Sequence, residues 1–170
     1  MGGQAASSGR QSFGQRMKGA ALLHVDTYEE VEADTTATLE SAGVVALVAA
    51  AIAIGVSHGG LPAIAISIVT SFVGWLIWAG VTYLIGDKLL GGTATWGELL
   101  RTLGFAQAPR LLLIGANLPA VGLLVQLVVF VWTLFTSVVA LRQALDFGTG
   151  RAILTGGLGL LILEVLRVFA

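Results

Sequence analysis

The chain has 170 residues, of which 56% are hydrophobic and 11% are charged, and its mean hydropathy is +0.90. Because a soluble domain carries about 25% charged residues, a chain this poor in charge cannot cover a water-exposed surface, and we predict an integral membrane protein. The net charge of -1 gives no basic field for nucleic acid, and the absence of cysteine excludes disulfides, thiolate catalysis and thiolate metal sites.

The N-terminal part divides into a tail and a helical region. Residues 1–10 have the composition of a flexible tail, and residues 11–36 are expected to form cytoplasmic amphipathic and acidic helices. In the first of these helices, apolar residues recur at helical spacing and basic residues lie mostly on another face, which is typical of a helix in a membrane interface. The expected interface residues are Phe13, Arg16, Met17 and Lys18. The alternative is an ordinary helix packed on the protein's own cytoplasmic loops.

An acidic segment precedes the first apolar block. Six of the ten carboxylates lie here: Asp26, Glu29, Glu30, Glu32, Asp34 and Glu40. Asp26 and Glu29 have the spacing of a capping box, which predicts the start of a second short helix. This helix is interpreted as a solvated acidic helix or as a docking surface for a basic partner.

Residues 37–170 are expected to form a membrane domain of five transmembrane helices, and the fold class is all-α. The spans are expected at about 40–57, 61–85, 103–118, 120–141 and 152–170. Apart from Arg167, Lys and Arg lie before the first span, between the second and third, and between the fourth and fifth. The positive-inside rule then places the N-terminus in the cytoplasm and the C-terminus outside a bacterial or archaeal cytoplasmic membrane. Trp75, Trp78 and Tyr83 are expected at a headgroup boundary.

The third span is the shortest, and it begins in the stretch RTLGFAQAPRLLL, residues 101–113. A short amphipathic helix is predicted just before it, at about 95–102. Pro109 fits the first turn of a helix, so it is expected to mark the point where an interfacial segment enters the membrane. Arg110 would extend back to the headgroups or pair with a carboxylate. A re-entrant third segment would place Arg142 and Arg151 outside, so five spans are preferred.

The stretches LRTLGFAQAPRLL and LPAVGLLVQLVVFVWTLFTSVVALRQALDFGTGRAI, together with Phe13–Leu23 and the acidic DTYEEVEAD, resemble bacterial members of the Yip-domain family, the Ypt-interacting proteins. The motif residues that carry the resemblance are Gly104, Phe105, Ala106, Pro109, Arg110, Trp132, Arg142, Gln143, Ala144 and Leu145. The resemblance implies a five-span fold with a cytoplasmic N-terminus. Eukaryotic members are associated with Rab-type GTPases, early secretory membranes and membrane shaping. This chain departs from them, since it lacks a DLxGP motif before its first span and has Phe105 where they have Tyr.

Few residues are candidates for chemistry. The stretch FGTGRAILTGGLG lacks the preceding strand and the following Lys of a phosphate loop, so it is interpreted as a helix-packing surface with Thr155 and Gly159. His24 and His58 are expected on opposite sides of the membrane, so no metal or other cofactor is expected. Glu164 and Arg167 are three residues apart and are expected to form an ion pair.

The sequence favours a non-enzymatic membrane scaffold, membrane-shaping or partner-binding protein. The alternative is an accessory subunit of a larger energy-converting complex, respiratory or photosynthetic. A third hypothesis, a small transporter, rests on Gln126 in the fourth span and on the expected ion pair. The expected partners are the lipid bilayer and other membrane proteins, in homo- or hetero-oligomers, with no nucleic acid and no small-molecule substrate.

Overall fold

The structure, a computed structural model, describes the backbone of residues 10–57 and 60–169 and the side chains of residues 10–56 and 60–162. Its α-helices are α1 (Phe13–Ala21), α2 (Val25–Ala33), α3 (Ala37–Ile52), α4 (Gly60–Tyr83), α5 (Trp96–Phe105), α6 (Gly122–Ala144) and α7 (Thr149–Phe169). Single π-helical segments prolong α3 over Ala53–Ser57 and α4 over Leu84–Leu89, and a 3₁₀ helix covers Ala108–Gly115. The described chain is therefore all-α, as predicted. The side chains of His58, Glu164 and Arg167 lie outside the described residues. The expected placement of His58 and the expected Glu164–Arg167 ion pair therefore also lie outside them.

Three helices are long and apolar enough to cross a membrane, namely Ala37–Val56, Gly60–Leu89 and Gly122–Ala144. The shortest has 20 residues, which at 1.5 Å per residue extends about 30 Å, the thickness of a bilayer core. The described part of α7, Thr149–Ile162, is apolar but shorter. These helices support a membrane protein by length and composition.

The segment at 103–118 is not the α-helical span that the sequence predicted. Helix α5 ends at Phe105, and an eight-residue 3₁₀ helix, Ala108–Gly115, follows after a short turn. Pro109 explains the break, because it has no N–H to donate to the Phe105 carbonyl and its ring would clash with that group in a continuous α-helix. Pro109 does stand near a helix start, as the second residue of the 3₁₀ helix.

This segment runs alongside α3 in the same direction. A Cβ on Gly104 would lie 2.6 Å from Ser41 Cβ, near the start of α3, and the backbone of Gly55 at the other end is packed against the Leu113 carbonyl. From Ser41 to Gly55, α3 and its π-helical continuation advance about 21 Å at 1.5 Å per residue. A 3₁₀ helix rises about 2 Å per residue, so the short segment covers most of that length.

The helices enclose a core at one end of the bundle and expose apolar faces toward the other. The buried core residues come chiefly from α2, α3, α5 and α6, and they include Tyr28, Val31, Val44, Val45, Val48, Leu99, Leu103, Phe105, Leu141 and Leu145. In contrast, α6 exposes 71% of Leu123 and 60% of Phe130, and α4 exposes 64% of Ile66. Exposed apolar faces of this extent are what a bilayer or a partner would cover.

The short helices begin at side-chain caps, with one exception. Ser12 with Gln15 forms a capping box before α1, and Thr95 with Glu98 forms one before α5. Helix α2 has no side-chain cap, its N-cap is His24, and the predicted capping box of Asp26 is wrong because Asp26 already lies in the first helical turn. The turn closes earlier than the sequence indicated, since the His24 N–H donates to the Gly19 carbonyl at 2.9 Å.

Candidate functional site

A buried arginine joins the first three helices. Arg16 of α1 is 0% exposed, and its guanidinium lies 2.8 Å from Glu30, 2.8 Å from Asp34 and 2.9 Å from Glu40. Arg10, which is exposed, lies 2.8 Å from Asp34 and 3.2 Å from Glu40. The sequence predicted a lipid contact for Arg16, and this placement corrects it, because the charge is already neutralised by carboxylates of α2 and α3.

The pKa values in this cluster follow from those contacts. Burial alone would lower the pKa of Arg16, but the hydrogen bonds from its guanidinium to the three carboxylates outweigh burial and raise it. The hydroxyl of Thr36 and the guanidinium of Arg16 lower the pKa of Asp34 to about 2. Both groups are therefore charged at neutral pH, and the cluster holds α1, α2 and α3 together.

The apolar face of α1 packs on the protein. The Phe13 ring meets the Phe105 ring edge-on, with centroids 6.2 Å apart, and Phe13 and Met17 both pack against the core. These two residues were expected in the membrane interface, and the structure instead packs them on the protein. The helix docks on the chain's own helices, whereas the alternative had expected packing on loops. Lys18 remains exposed, on a different face from Arg16.

A second arginine, Arg101 of α5, clamps the end of α2. It is 6% exposed, and its Nε donates to the carbonyls of Val31 and Glu32, each at 3.1 Å, while Nη2 also donates to Glu32. These carbonyls belong to the last turn of a helix, where no intrahelical donor reaches them. The Glu32 side chain is partly buried near Glu98 and Asp146. Burial, with repulsion from these two carboxylates, raises the pKa of Glu32 to about 7.

Trp132 provides a third link. Its indole Nε1 donates to the carbonyl of Ala21 at 2.7 Å, which joins the middle of α6 to the last residue of α1. We define the N-terminal platform as α1, α2 and α5 held by Arg16, Arg101 and Trp132. The sequence did not indicate the partners of Arg16 or of Arg101, because all of these partners lie in other parts of the chain.

The aromatic residues of α4 lie inside the bundle more than at its boundary. Trp75 is 5% exposed, and its Nε1 donates to the Leu100 carbonyl at 3.1 Å, so it does not reach headgroups as predicted. Trp78 is half-buried and packs against Gly159 of α7. The ring of Tyr83, also half-buried, lies edge-on to Trp96, with centroids 6.4 Å apart.

The remaining motif residues have structural contacts. Phe105 and Pro109 are buried, and Gly104 allows the close approach of α5 to α3. Arg110 donates to the side-chain oxygen of Gln107 at 3.1 Å, so its contact here is an amide and not the carboxylate that the sequence allowed.

At the end of α6, Arg142 and Gln143 are half-buried. The Arg142 guanidinium contacts the Thr149 hydroxyl weakly, at 3.5 Å. Gln126 is exposed on α6, beside Leu123 and Leu127, and does not line the bundle interior. Among the residues that the structure describes, no group of three or more His, Cys, Asp or Glu side chains could hold a metal ion.

Comparison with known proteins gives one match. The family model described as the Yip1 domain matches residues 26–169, while no curated protein and no solved structure matches the chain. The matched region includes α2, the Arg101 clamp, Trp132 and the membrane helices, so it covers most of the geometry described above. The chain belongs to the Yip1 domain family of membrane proteins.

Proposed function

We propose that this protein is a non-enzymatic membrane scaffold that binds other membrane proteins through its apolar helix faces. One contrast carries the proposal: the N-terminal platform is fixed to the bundle by buried polar contacts, whereas the faces of α4, α6 and α7 stay exposed. Arg16, Arg101 and Trp132 all use their donors within the chain. A rigid platform on a bundle with large apolar faces presents surfaces to partners and has no need of a catalytic group.

The proposal includes five membrane passes, with the N-terminus in the cytoplasm. The packing of Gly104 on Ser41 and of Gly55 on Leu113 supports a crossing by the third segment. Helix α6, the proposed return pass, packs against the start of this segment, since the Thr136 hydroxyl donates to the Ala106 carbonyl at 2.7 Å. The distribution of Lys and Arg supports the same orientation.

Gln126 favours partner binding over transport. A transport pathway would place polar side chains inside the bundle, whereas this amide is exposed among apolar side chains on the outer face of α6. In hydrocarbon, a side-chain amide is expected to form a hydrogen bond with another helix. An accessory subunit of an energy-converting complex would use the same face, and its complex would contain redox cofactors.

The test is photo-crosslinking in native membranes from position 126. A photoreactive residue at Gln126 should give a discrete protein adduct, and the same residue at Val73, which is 49% exposed on α4, shows whether a partner also covers the α4 face. The crosslinked protein should also co-purify at a fixed ratio in mild detergent. Redox cofactors in that complex would favour the accessory subunit, and lipid adducts alone at both positions would contradict partner binding through α6.

A further inference from the structure

Two depressions meet at Lys18 on the surface of the N-terminal platform. The first is a groove of about 260 Å³ between α1, the 3₁₀ helix and α6, and its walls include Met17, Ala21, Leu112 and Trp132. The second is a depression of about 330 Å³ on the other side of α1. Lys18 lines both, so one cation stands between them.

The groove has the character of a site for hydrocarbon. Apart from Lys18, its walls are apolar, and Leu112 on the 3₁₀ helix is 50% exposed. On α6, Val128 and Phe135 lie on the same face as Trp132, at i−4 and i+3, and are 48% and 59% exposed. The groove is therefore continuous with the apolar surface of a membrane-length helix.

The second depression has the character of a site for an anion. Its polar residues are Gln11, Gln15, His24 and Thr27, together with Lys18, and no acidic residue lines it. The Gln15 side-chain oxygen accepts from the Ser12 N–H at 2.7 Å, and the Gln11 side-chain oxygen accepts from the Thr27 hydroxyl at 3.3 Å. With both oxygens engaged, the amide N–H groups remain as donors.

Lys18 is separated from the carboxylates that neutralise its neighbour. It follows Arg16 by two residues, so the two side chains leave α1 in different directions. Glu30, Asp34 and Glu40 all contact Arg16. No salt bridge involves Lys18 within the described residues. Its charge is therefore directed to whatever occupies the two depressions.

We propose that the two depressions together bind one anionic phospholipid, with an acyl chain in the groove beside Trp132 and the headgroup phosphate at Lys18. The apolar groove, the donor-lined depression and the cation between them match the order of chain, phosphate and polar headgroup in such a lipid. The assignment of this lipid to the inner leaflet rests on the proposed topology, while the binding itself does not.

The test is a lipid titration of the full-length protein in detergent, followed by native mass spectrometry. Phosphatidylglycerol should bind at one molecule per chain and about fivefold more tightly than phosphatidylcholine with the same acyl chains, the contribution of a single lysine. Glycerol phosphate, which has no acyl chain, should neither bind nor displace the lipid. Displacement by glycerol phosphate would instead indicate a site for free phosphate.

Matched variants assign the two halves of the site. Lys18→Gln should remove the preference for phosphatidylglycerol, and Lys88→Gln should retain it, because the Lys88 ammonium already lies 2.7 Å from Asp87. Ala21→Leu should fill the groove and weaken both lipids alike. If Ala21→Leu lowers the melting temperature in lipid-free detergent, Leu112→Gln at an exposed position of the wall replaces it.

The proposal would be overturned if Lys18→Gln kept the preference for phosphatidylglycerol over phosphatidylcholine. It would also be overturned if both groove substitutions left lipid binding at its full strength. The titration in detergent does not depend on the number of membrane passes or on a protein partner. Its failure would therefore be distinguishable from a failure of the proposed scaffold function.

Discussion

Replacing Arg16 with Met should destabilise the protein more than any substitution on the exposed surface of α1. The change leaves Glu30, Asp34 and Glu40 close together, with side chains only 20–27% exposed and Arg10 as their remaining cation. Removing one partner from a buried ion pair costs about 3–5 kcal/mol, and the partial exposure of the carboxylates places the cost of this variant at about 3 kcal/mol.

The measurement is unfolding of the purified protein in detergent, followed by circular dichroism, with Arg10→Met as the control. Arg10 is 54% exposed, so its substitution should cost no more than about 1 kcal/mol. Acid provides a second readout. Because the folded-state pKa of Asp34 is lowered to about 2, its contribution is present above its ordinary pKa of 3.8 and is lost as the pH falls toward 2. Equal costs for the two variants, or an unchanged slope between pH 4 and 2 in Arg16→Met, would refute the reasoning.

Three further predictions concern the contacts that fix the platform. Gly104→Ala should destabilise by about 1–3 kcal/mol, because its Cβ would lie 2.6 Å from Ser41 Cβ, whereas Gly14→Ala, with open space around it, should be neutral or stabilising in the same unfolding assay. Trp132→Phe should cost about 1–2 kcal/mol through the lost indole hydrogen bond, and hydrogen exchange should increase at the end of α1 if the bond holds that end. Because the pKa of Glu32 is raised to about 7 in the folded protein, stability should fall between about pH 4.5 and 7, and Glu32→Gln should remove that fall. The same pH dependence of stability in the variant and the parent protein would contradict the burial of Glu32.

The membrane helices could be predicted from the sequence because each apolar block is long and is bounded by polar or helix-breaking residues. The block at 61–85 became α4 with its π-helical continuation, and the amphipathic pattern at 95–102 became α5. Family membership also followed from local stretches such as Gly104 to Pro109, and the Yip1 domain match confirms it. Composition and spacing are enough for these features.

The contacts between helices could not be predicted in the same way. A basic residue on an amphipathic helix satisfies the pattern of a lipid-facing helix whether it meets headgroups or, as Arg16 does, carboxylates of other helices. Likewise, Trp75 looked like a boundary residue because of its position in the block, but its donor reaches a carbonyl of α5. The partners of Arg101 are backbone carbonyls about 70 residues away, which no local pattern indicates.

The central claim, that the third segment crosses the membrane, is tested most directly by the side on which Asn117 lies. The chain has no cysteine, so single substitutions Asn117→Cys, Thr93→Cys and Thr149→Cys give unique labelling sites in intact cells. With a membrane-impermeant maleimide, we expect Asn117→Cys to react from outside, and Thr93→Cys and Thr149→Cys to react only after permeabilisation. Labelling of Asn117→Cys only after permeabilisation would show that the 3₁₀ segment returns to the side it left, and it would contradict the five-pass account.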